Sequence, residues 1–418
     1  MDVVKANHRL DKINWLLLLL GVAFIVAWQM PPLGFMKGLV LMSLPTHMFA
    51  EMFAIIVSML VFALVFSTSK EDHAESPIIL AYAFFIVGLL DFAHTLSYAG
   101  MPDLVTPGSP DKSIYFWLVA RYVAALALLA VALQQEKIKQ WHFNRYWLLL
   151  ASVMMTAFFY WLGLYHLDAL PRTFIPGKGL TAFKVFAEYG IIAILLVSAI
   201  LFYFKAKKSK SVDIRSLYAA TVITILSELC FTLYASISDL MSLLGHIYKV
   251  VAYIYIFRAI FLYVVRLPYQ KLYESEQYNR TLFESASIGL AVCRMDGSFV
   301  DVNQACANII GRSIKETMGL TYWQVTPIDY AVQEQRQLES LNTTKHYGPY
   351  EKEYLHKDGH RVPVRLSGNL IERSGETFIW SSIEDISDEV ELNVFADYYS
   401  FSSFWLLHSI LFWNSTFK

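Results

Sequence analysis

Apolar runs of about 20 residues recur eight times along the first two thirds of the chain, separated by short polar stretches. A helix needs roughly that length to cross the hydrocarbon core of a bilayer. The pattern predicts transmembrane helices near 13–30, 47–66, 78–96, 114–133, 146–165, 183–204, 217–237 and 243–265. Ser67–Ser76, Gln134–Asn144 and Lys205–Arg215 punctuate them, and Pro31, Pro32, Pro77 and Pro171 fall at span ends, where a missing N–H costs little. The seventh span is the most amphipathic, through Thr221, Thr224, Ser227, Glu228 and Thr232. Lys5, Arg9 and Lys12 before the first run give it the plan of a secretory signal. Gln29-Met30-Pro31-Pro32 is a poor cleavage sequence, so the run reads as an uncleaved first span.

The pattern changes after Arg266-Leu-Pro268. Tyr269–Ser285 is polar with apolar Leu272, Tyr278, Leu282 and Phe283, a helix suited to carrying motion out of the membrane or serving as a plain linker. Strand-like alternation follows. Ile288–Arg294 and Ser298–Asn303 flank Met295-Asp296-Gly297, a strong hairpin signal. A short helix, Asn303–Ile310, ends at Gly311. Strands Tyr350–His356 and His360–Ile371 flank Lys357-Asp358-Gly359, and a last strand covers Glu376–Ile386. The predicted fold is an all-α polytopic membrane bundle of about eight helices over 1–266, a connecting helix over 267–285 and an α+β domain over 286–390.

Composition sharpens this division. The 418 residues are 56% hydrophobic and 17% charged, with a formal net charge of −1. That net charge hides two opposite parts. Residues 1–266 carry 21 Lys+Arg and 15 Asp+Glu, a balance of +6; residues 267–418 carry 13 and 20, a balance of −7. Eight spans put both termini on one side. The tail (Lys5, Arg9, Lys12), Lys70, Lys137, Lys139, Arg145, Lys205, Lys207, Lys208, Lys210 and Arg215 lie on that side, against Lys37, Lys112, Arg172 and Lys178 on the other. The positive-inside rule therefore predicts cytoplasmic termini. The Lys205–Lys210 cluster is explained by topology and anionic lipid, and no nucleic-acid partner is expected. Three cysteines, Cys230, Cys293 and Cys306, are too scattered for a disulfide framework or a thiolate zinc site.

Ionisable residues at bilayer depth demand a partner or a function. His47 and Glu51 share one helix face at i, i+4, and Asp91 and His94 share another at i, i+3. Trp117 and Arg121 lie one turn apart in the fourth span, with Arg121 the natural partner of a carboxylate. Lys184 and Glu188 are expected to pair near an interface. Glu228 has no local partner, and Lys249 and Arg258 are candidates. Three readings of the first set stay open. The carboxylates satisfy the imidazoles or Arg121 and lock the bundle; or the set senses a ligand or protons; or His47, His94, Glu51 and Asp91 hold zinc, non-haem iron or haem. No cofactor is assigned.

The residues His47-Met-Phe-Ala-Glu51, Asp91-Phe-Ala-His94-Thr95 through Gly100-Met101, and Trp117-Leu-Val-Ala-Arg121 resemble the third class of membrane-associated sensor (MASE) domains. The resemblance covers roughly 13–265. It implies an inner-membrane input module of bacterial signalling proteins, usually fused to PAS, diguanylate cyclase or histidine kinase parts. The segment 276–390, with Asn303, Gly311, Asp358, Gly359 and Asp385 at the expected distances, resembles a PAS domain. This implies a five-stranded sheet over a small cavity, a dimerising N-terminal helix and homodimerisation. The cavity is expected to be apolar, with Trp323, Phe378 and Trp380 as lining candidates. Cys306 stands in Gln-Ala-Cys-Ala rather than in the setting of a flavin-reactive cysteine, and His346, His356 and His360 are expected to face water.

Residues 391–418 depart from the PAS plan. Phe401–Trp413 is too short to span a bilayer, and the aromatic-rich end reads as an aberrant tail left by truncation of an output domain. The chain carries no cyclase signature, no kinase phospho-acceptor helix and no ATP lid, so it reads as a non-catalytic sensor of the bacterial cytoplasmic membrane, with the bilayer, a second copy and a small molecule as partners. The alternatives are a transporter or channel with a regulatory PAS domain, and a metal- or haem-dependent membrane enzyme.

Overall fold

A computed structural model describes residues 2–29, 42–68, 75–134, 144–175, 179–208, 212–233, 240–393 and 395. The chain divides into two compact units, Met1–Gln270 and Lys271–Lys418.

The first unit is helical, as predicted: α1 (Asp2–Gln29), α2 (Leu44–Thr68), α3 (Glu75–Leu96), α4 (Pro110–Leu133), α5 (Arg145–Tyr165), α6 (Ala182–Lys208), α7 (Val212–Leu233) and α8 (Leu240–Phe261). All eight helices contain a window long and apolar enough to cross a membrane. Ser109 caps α4 by accepting from Lys112 N, with Pro110 in the first turn where its missing N–H is harmless. A two-strand ribbon, β1 (Phe174–Ile175) and β2 (Gly179–Leu180), precedes α6.

Pairwise packing runs α2 to α3, α3 to α4, α4 to α6, α6 to α7, α7 to α8 and α8 back to α2, a closed ring of six helices. α5 packs outside on α3 and α4, and α1 outside on α7 and α8. Burial follows this order. α5 buries only Ser152, Thr156 and Gly163, while Trp147, Met154 and Phe158 point outward. Small residues bring the backbones together, as expected where lipid offers no hydrophobic contrast. Gly88 of α3 meets Ser58 and Met59 of α2, and Gly163 of α5 meets Tyr115 and Phe116 of α4, so closely that an added Cβ would sit 2.6 Å from its neighbour in each case.

α8 passes through a π-helical segment, Leu262–Arg266, into α9 (Leu267–Ser285). The second unit then forms the α+β plan: β3 (Gly289–Arg294), β4 (Phe299–Val302), α10 (Gln304–Ile310), α11 (Ile314–Thr317), α12 (Ala331–Thr344), β5 (His346–Leu355), β6 (Arg361–Arg373) and β7 (Glu376–Asp385). The antiparallel sheet has the order β4-β3-β7-β6-β5. β5 starts four residues earlier than predicted, because the register shift between Tyr347 and Tyr350 lets the strand continue through Gly348-Pro349. One face of the sheet, with Ala291, Cys293, Tyr354, Leu366, Ile379 and Ile383, packs with Cys306 and Ile310 of α10.

Lys37, Lys70, Lys137, Lys139, Lys178 and Lys210, which entered the topology argument, and the tail at 394 and 396–418 lie outside the described residues.

Candidate functional site

Each of the six ring helices turns ionisable side chains inward. The spacing is one helical turn in five of them: His47 and Glu51 on α2, Asp91 and His94 on α3, Lys184 and Glu188 on α6, His246 and Lys249 on α8, and Trp117 with Arg121 on α4; α7 adds Glu228. All are buried. Buried charges survive only when paired and hydrogen-bonded, and most of this set is. The Arg121 guanidinium donates to both oxygens of Asp91 at 2.9 and 2.7 Å and to Tyr253 Oη at 2.9 Å. Lys249 Nζ lies 2.6 Å from Glu51 Oε2 and 3.3 Å from Asp91 Oδ2. Lys184 Nζ lies 2.6 Å from Glu188 and donates to the Phe231 carbonyl at 2.9 Å.

Against this charged layer lies a cavity of about 90 Å³, lined among others by His47, His94, His246, Tyr98, Ser113, Trp117, Lys184, Phe231 and Ser242. The His47 ring stacks on Tyr98, with centroids 3.8 Å apart, and meets His246 edge-on at 4.9 Å. His47 Nδ1 is 3.1 Å from His246 Nε2. Trp117 packs edge-on against Phe231 and beneath the Lys184 ammonium.

The sequence candidates therefore separate. His47, His94 and Trp117 line the cavity, whereas Glu51, Asp91, Arg121 and Glu228 are absent from its lining. Arg121 does pair with Asp91, and Lys184 with Glu188. The latter pair turns into the ring from the first two turns of α6, with Lys184 2% and Glu188 0% exposed. Glu228 does not take Arg258 as a partner, since Arg258 faces outward, and Lys249 is engaged by Glu51 and Asp91. The Oε2 atom of Glu228 is buried without a hydrogen-bond partner among the described residues. His246 escaped the sequence reading, although His246 and Lys249 carry the same i, i+3 signal inside an apolar span as Asp91 and His94.

In the second unit Asn303 is a structural joint. Its Oδ1 accepts from Leu290 N and Cys306 N, and its Nδ2 donates to the Phe283 and Ile288 carbonyls. Gly311 closes α10 at φ 71°, and a Cβ there would lie 1.9 Å from His356 Nε2. Gly359 takes φ 88° in the β5–β6 hairpin, beside Asp358. Asp385 Oδ1 accepts from the backbone and hydroxyl of Ser387. His346 and His360 are exposed and His356 is half-buried, stacked on His360.

The cavity of this unit measures only about 30 Å³ and is lined by Tyr322, Glu334, Tyr347, Lys352, Ile379 and Ser381 among others. Trp323, Phe378 and Trp380 do not line it. Strand alternation aims Ile379 and Ser381 inward and so turns Phe378 and Trp380 to the opposite face, and Trp323 is 38% exposed. Nor is the lining purely apolar. Lys352 Nζ donates to Glu334 at 2.6 Å and to Thr326 at 2.9 Å, Tyr350 donates to Glu334, and Tyr347 to Ser381. Burial pulls the Lys352 ammonium below its usual range against the opposing pull of Glu334, and pushes the Cys293 and Cys306 thiols up to about 12.

Comparison with known proteins joins the two units to two families. A family model described as a membrane-associated sensor domain, MASE3, matches residues 41–268, and one described as a PAS domain matches 287–388. Similar curated proteins include a probable diguanylate cyclase of Escherichia coli, 28% identical over 130 residues (30% of this chain, 12% of that protein). Others are a hybrid signal transduction protein of Dictyostelium discoideum, 31% identical over 106 residues (25% and 6%), and a methyl sulfide methyltransferase-associated sensor of Methanosarcina acetivorans, 28% identical over 126 residues (29% and 12%). The matches thus span about an eighth or less of these relatives. Among solved structures, the PAS domain of an HTR-like protein from Haloarcula marismortui is 23% identical, with 29% of this chain and 99% of that one covered and a TM-score of 0.27.

Proposed function

Because the chain belongs to the MASE3 family of membrane-associated sensor domains, we propose that it senses through its six-helix ring and relays the state of the ring cavity to its PAS domain. The observation that carries this reading is the position of α8. One inward face of that helix presents His246 to the cavity and Lys249 to the Glu51–Asp91 layer, and the same helix leads through a π-helical segment into α9. Such segments, in which the i to i−4 ladder is broken, are places where a helix changes phase. A ligand that alters how Glu51 and Asp91 share Lys249 biases α8, and α9 carries the bias onward.

In this reading the protein is a multi-pass protein of a bacterial cytoplasmic membrane with both termini in the cytoplasm. It works in signalling rather than catalysis, upstream of outputs of the diguanylate cyclase or histidine kinase kind. α9 buries none of its residues, and Leu272, Tyr278 and Leu282 stand exposed on it. A second copy of the chain is the partner this helix fits.

Spin labels at Leu272→Cys in the full chain in lipid nanodiscs test the relay. The expected result is an interspin distance distribution that shifts between wild type and Lys249→Met. Superimposable distributions remove the relay, and the lack of any interspin coupling removes the dimer.

A further inference from the structure

We propose that His47, His94, His246 and Glu51 form a binding site for a first-row transition-metal ion of borderline softness, represented experimentally by zinc. The proposal rests on the sensing reading above and names the ligand class of the same cavity.

The hydrogen bonds fix the tautomers. His94 Nδ1 lies 2.8 Å from the Ser113 carbonyl, and His246 Nδ1 lies 2.7 Å from the Ser242 carbonyl. A carbonyl only accepts, so both rings carry a proton on Nδ1, and in the neutral form each presents a bare Nε2. A ring N–H anchored on a backbone carbonyl is the outer contact by which metal-ligating imidazoles are oriented. His246 Nε2 faces His47 Nδ1 at 3.1 Å and Glu51 Oε1 at 3.5 Å. A lone pair aimed at a carboxylate oxygen is unfavourable unless a proton or a metal ion stands between them. In a tetrahedral zinc site with bonds of 2.0–2.2 Å, neighbouring ligand atoms are about 3.3–3.5 Å apart, and the observed separations fall close to that range.

Two further observations agree. Glu51 Oε1 and His47 Nε2 are buried and lack a hydrogen-bond partner among the described residues, while the other Glu51 oxygen keeps Lys249. One ligand atom from each of His47, Glu51 and His94 also lies within 4.8 Å of the other two, and His246 joins this group through His47 and Glu51. Three imidazoles and one carboxylate suit zinc or copper better than calcium or magnesium, which prefer all-oxygen shells. Binding would exchange the His47–His246 hydrogen bond for two metal bonds and draw Glu51 from Lys249.

A second group, His356, Asp358 and His360 on the β5–β6 hairpin, is within ligand reach of itself, so the test removes it first. The full chain carrying His356→Ala and His360→Ala, purified in nanodiscs and stripped with a chelator, is equilibrated with zinc and passed over a desalting column. The expected result is one zinc per chain by elemental analysis, with X-ray absorption showing three imidazoles around it, and at least a tenfold weaker affinity for His94→Gln with His246→Gln. Less than stoichiometric zinc, a shell with fewer imidazoles, or unchanged affinity in the double variant overturns the site. A chain that holds zinc without any shift in the α9 label distances keeps the ion site and loses the sensing reading. A chain without zinc whose labels still respond to Lys249→Met does the reverse.

Discussion

The ring cavity of the membrane unit and the cavity of the PAS domain are built by different rules. In the PAS domain most polar groups around about 30 Å³ are matched, Lys352 with Glu334 and Thr326, Tyr350 with Glu334, Tyr347 with Ser381, and the Tyr322 hydroxyl is the exception among the described residues. In the membrane unit about 90 Å³ is bordered by His47, whose buried Nε2 has no hydrogen-bond partner among the described residues, next to a Glu51 oxygen that has none either. A matched polar network acts as packing, because adding a ligand would break bonds already made. An unmatched set gains by binding. On the proposed reading, this contrast places reception in the membrane unit and relay in the PAS domain.

The sharpest way to break this contrast is to disturb the charged layer. Arg121→Ala leaves Asp91 buried with only Tyr253 and Lys249 nearby, and loss of one member of a buried pair costs about 3–5 kcal/mol. The expected outcome is loss of the monodisperse peak in size-exclusion chromatography, and a variant as stable as wild type contradicts the view that this layer holds the ring together.

Next in size is the PAS network. Lys352→Ala leaves Glu334 with the Tyr350 hydroxyl but no countercharge and is expected to cost roughly 3 kcal/mol in the unfolding of that domain, whereas Lys352→Met combined with Glu334→Leu recovers most of the loss. Equal destabilisation by the single and double changes would show that the network does more than fill space.

The smallest effect comes from the surface. Ser313 and Glu316 form a capping box that holds the Glu316 carboxyl below its usual range, chiefly through the Ser313 hydroxyl. A lowered carboxylate pKa adds stability that is complete above the ordinary glutamate range and fades as pH falls through the depressed value. Ser313→Ala is therefore expected to lower stability by about 1 kcal/mol at neutral pH and by less in acid, as measured by denaturant unfolding at a series of pH values.

Much of this was legible in the sequence. Eight apolar runs gave eight helices because the bilayer dictates their length, and Asp-Gly and Lys-Asp-Gly marked hairpins because a glycine with positive φ is needed there. Arg121 and Asp91 could be matched as opposite charges at one depth. The closed ring could not be read, since it depends on which faces meet across helices far apart in the chain. For that reason His246 was missed, and Lys249 was offered to Glu228 instead of Glu51. The PAS lining was misassigned for a similar reason. Aromatic residues attract attention, but the parity of β7 decides which of its side chains turn inward, and a shift by one residue reverses the answer.

Cobalt in place of zinc tests the central claim most directly, because its absorption reports both occupancy and ligand geometry. With the full chain in nanodiscs and His356 and His360 replaced by alanine, the expected result is a tetrahedral cobalt spectrum that survives Lys352→Met with Glu334→Leu and vanishes in His94→Gln with His246→Gln. A spectrum absent from the parent chain, or persisting without those two histidines, would contradict the placement of the receptive site in the membrane ring.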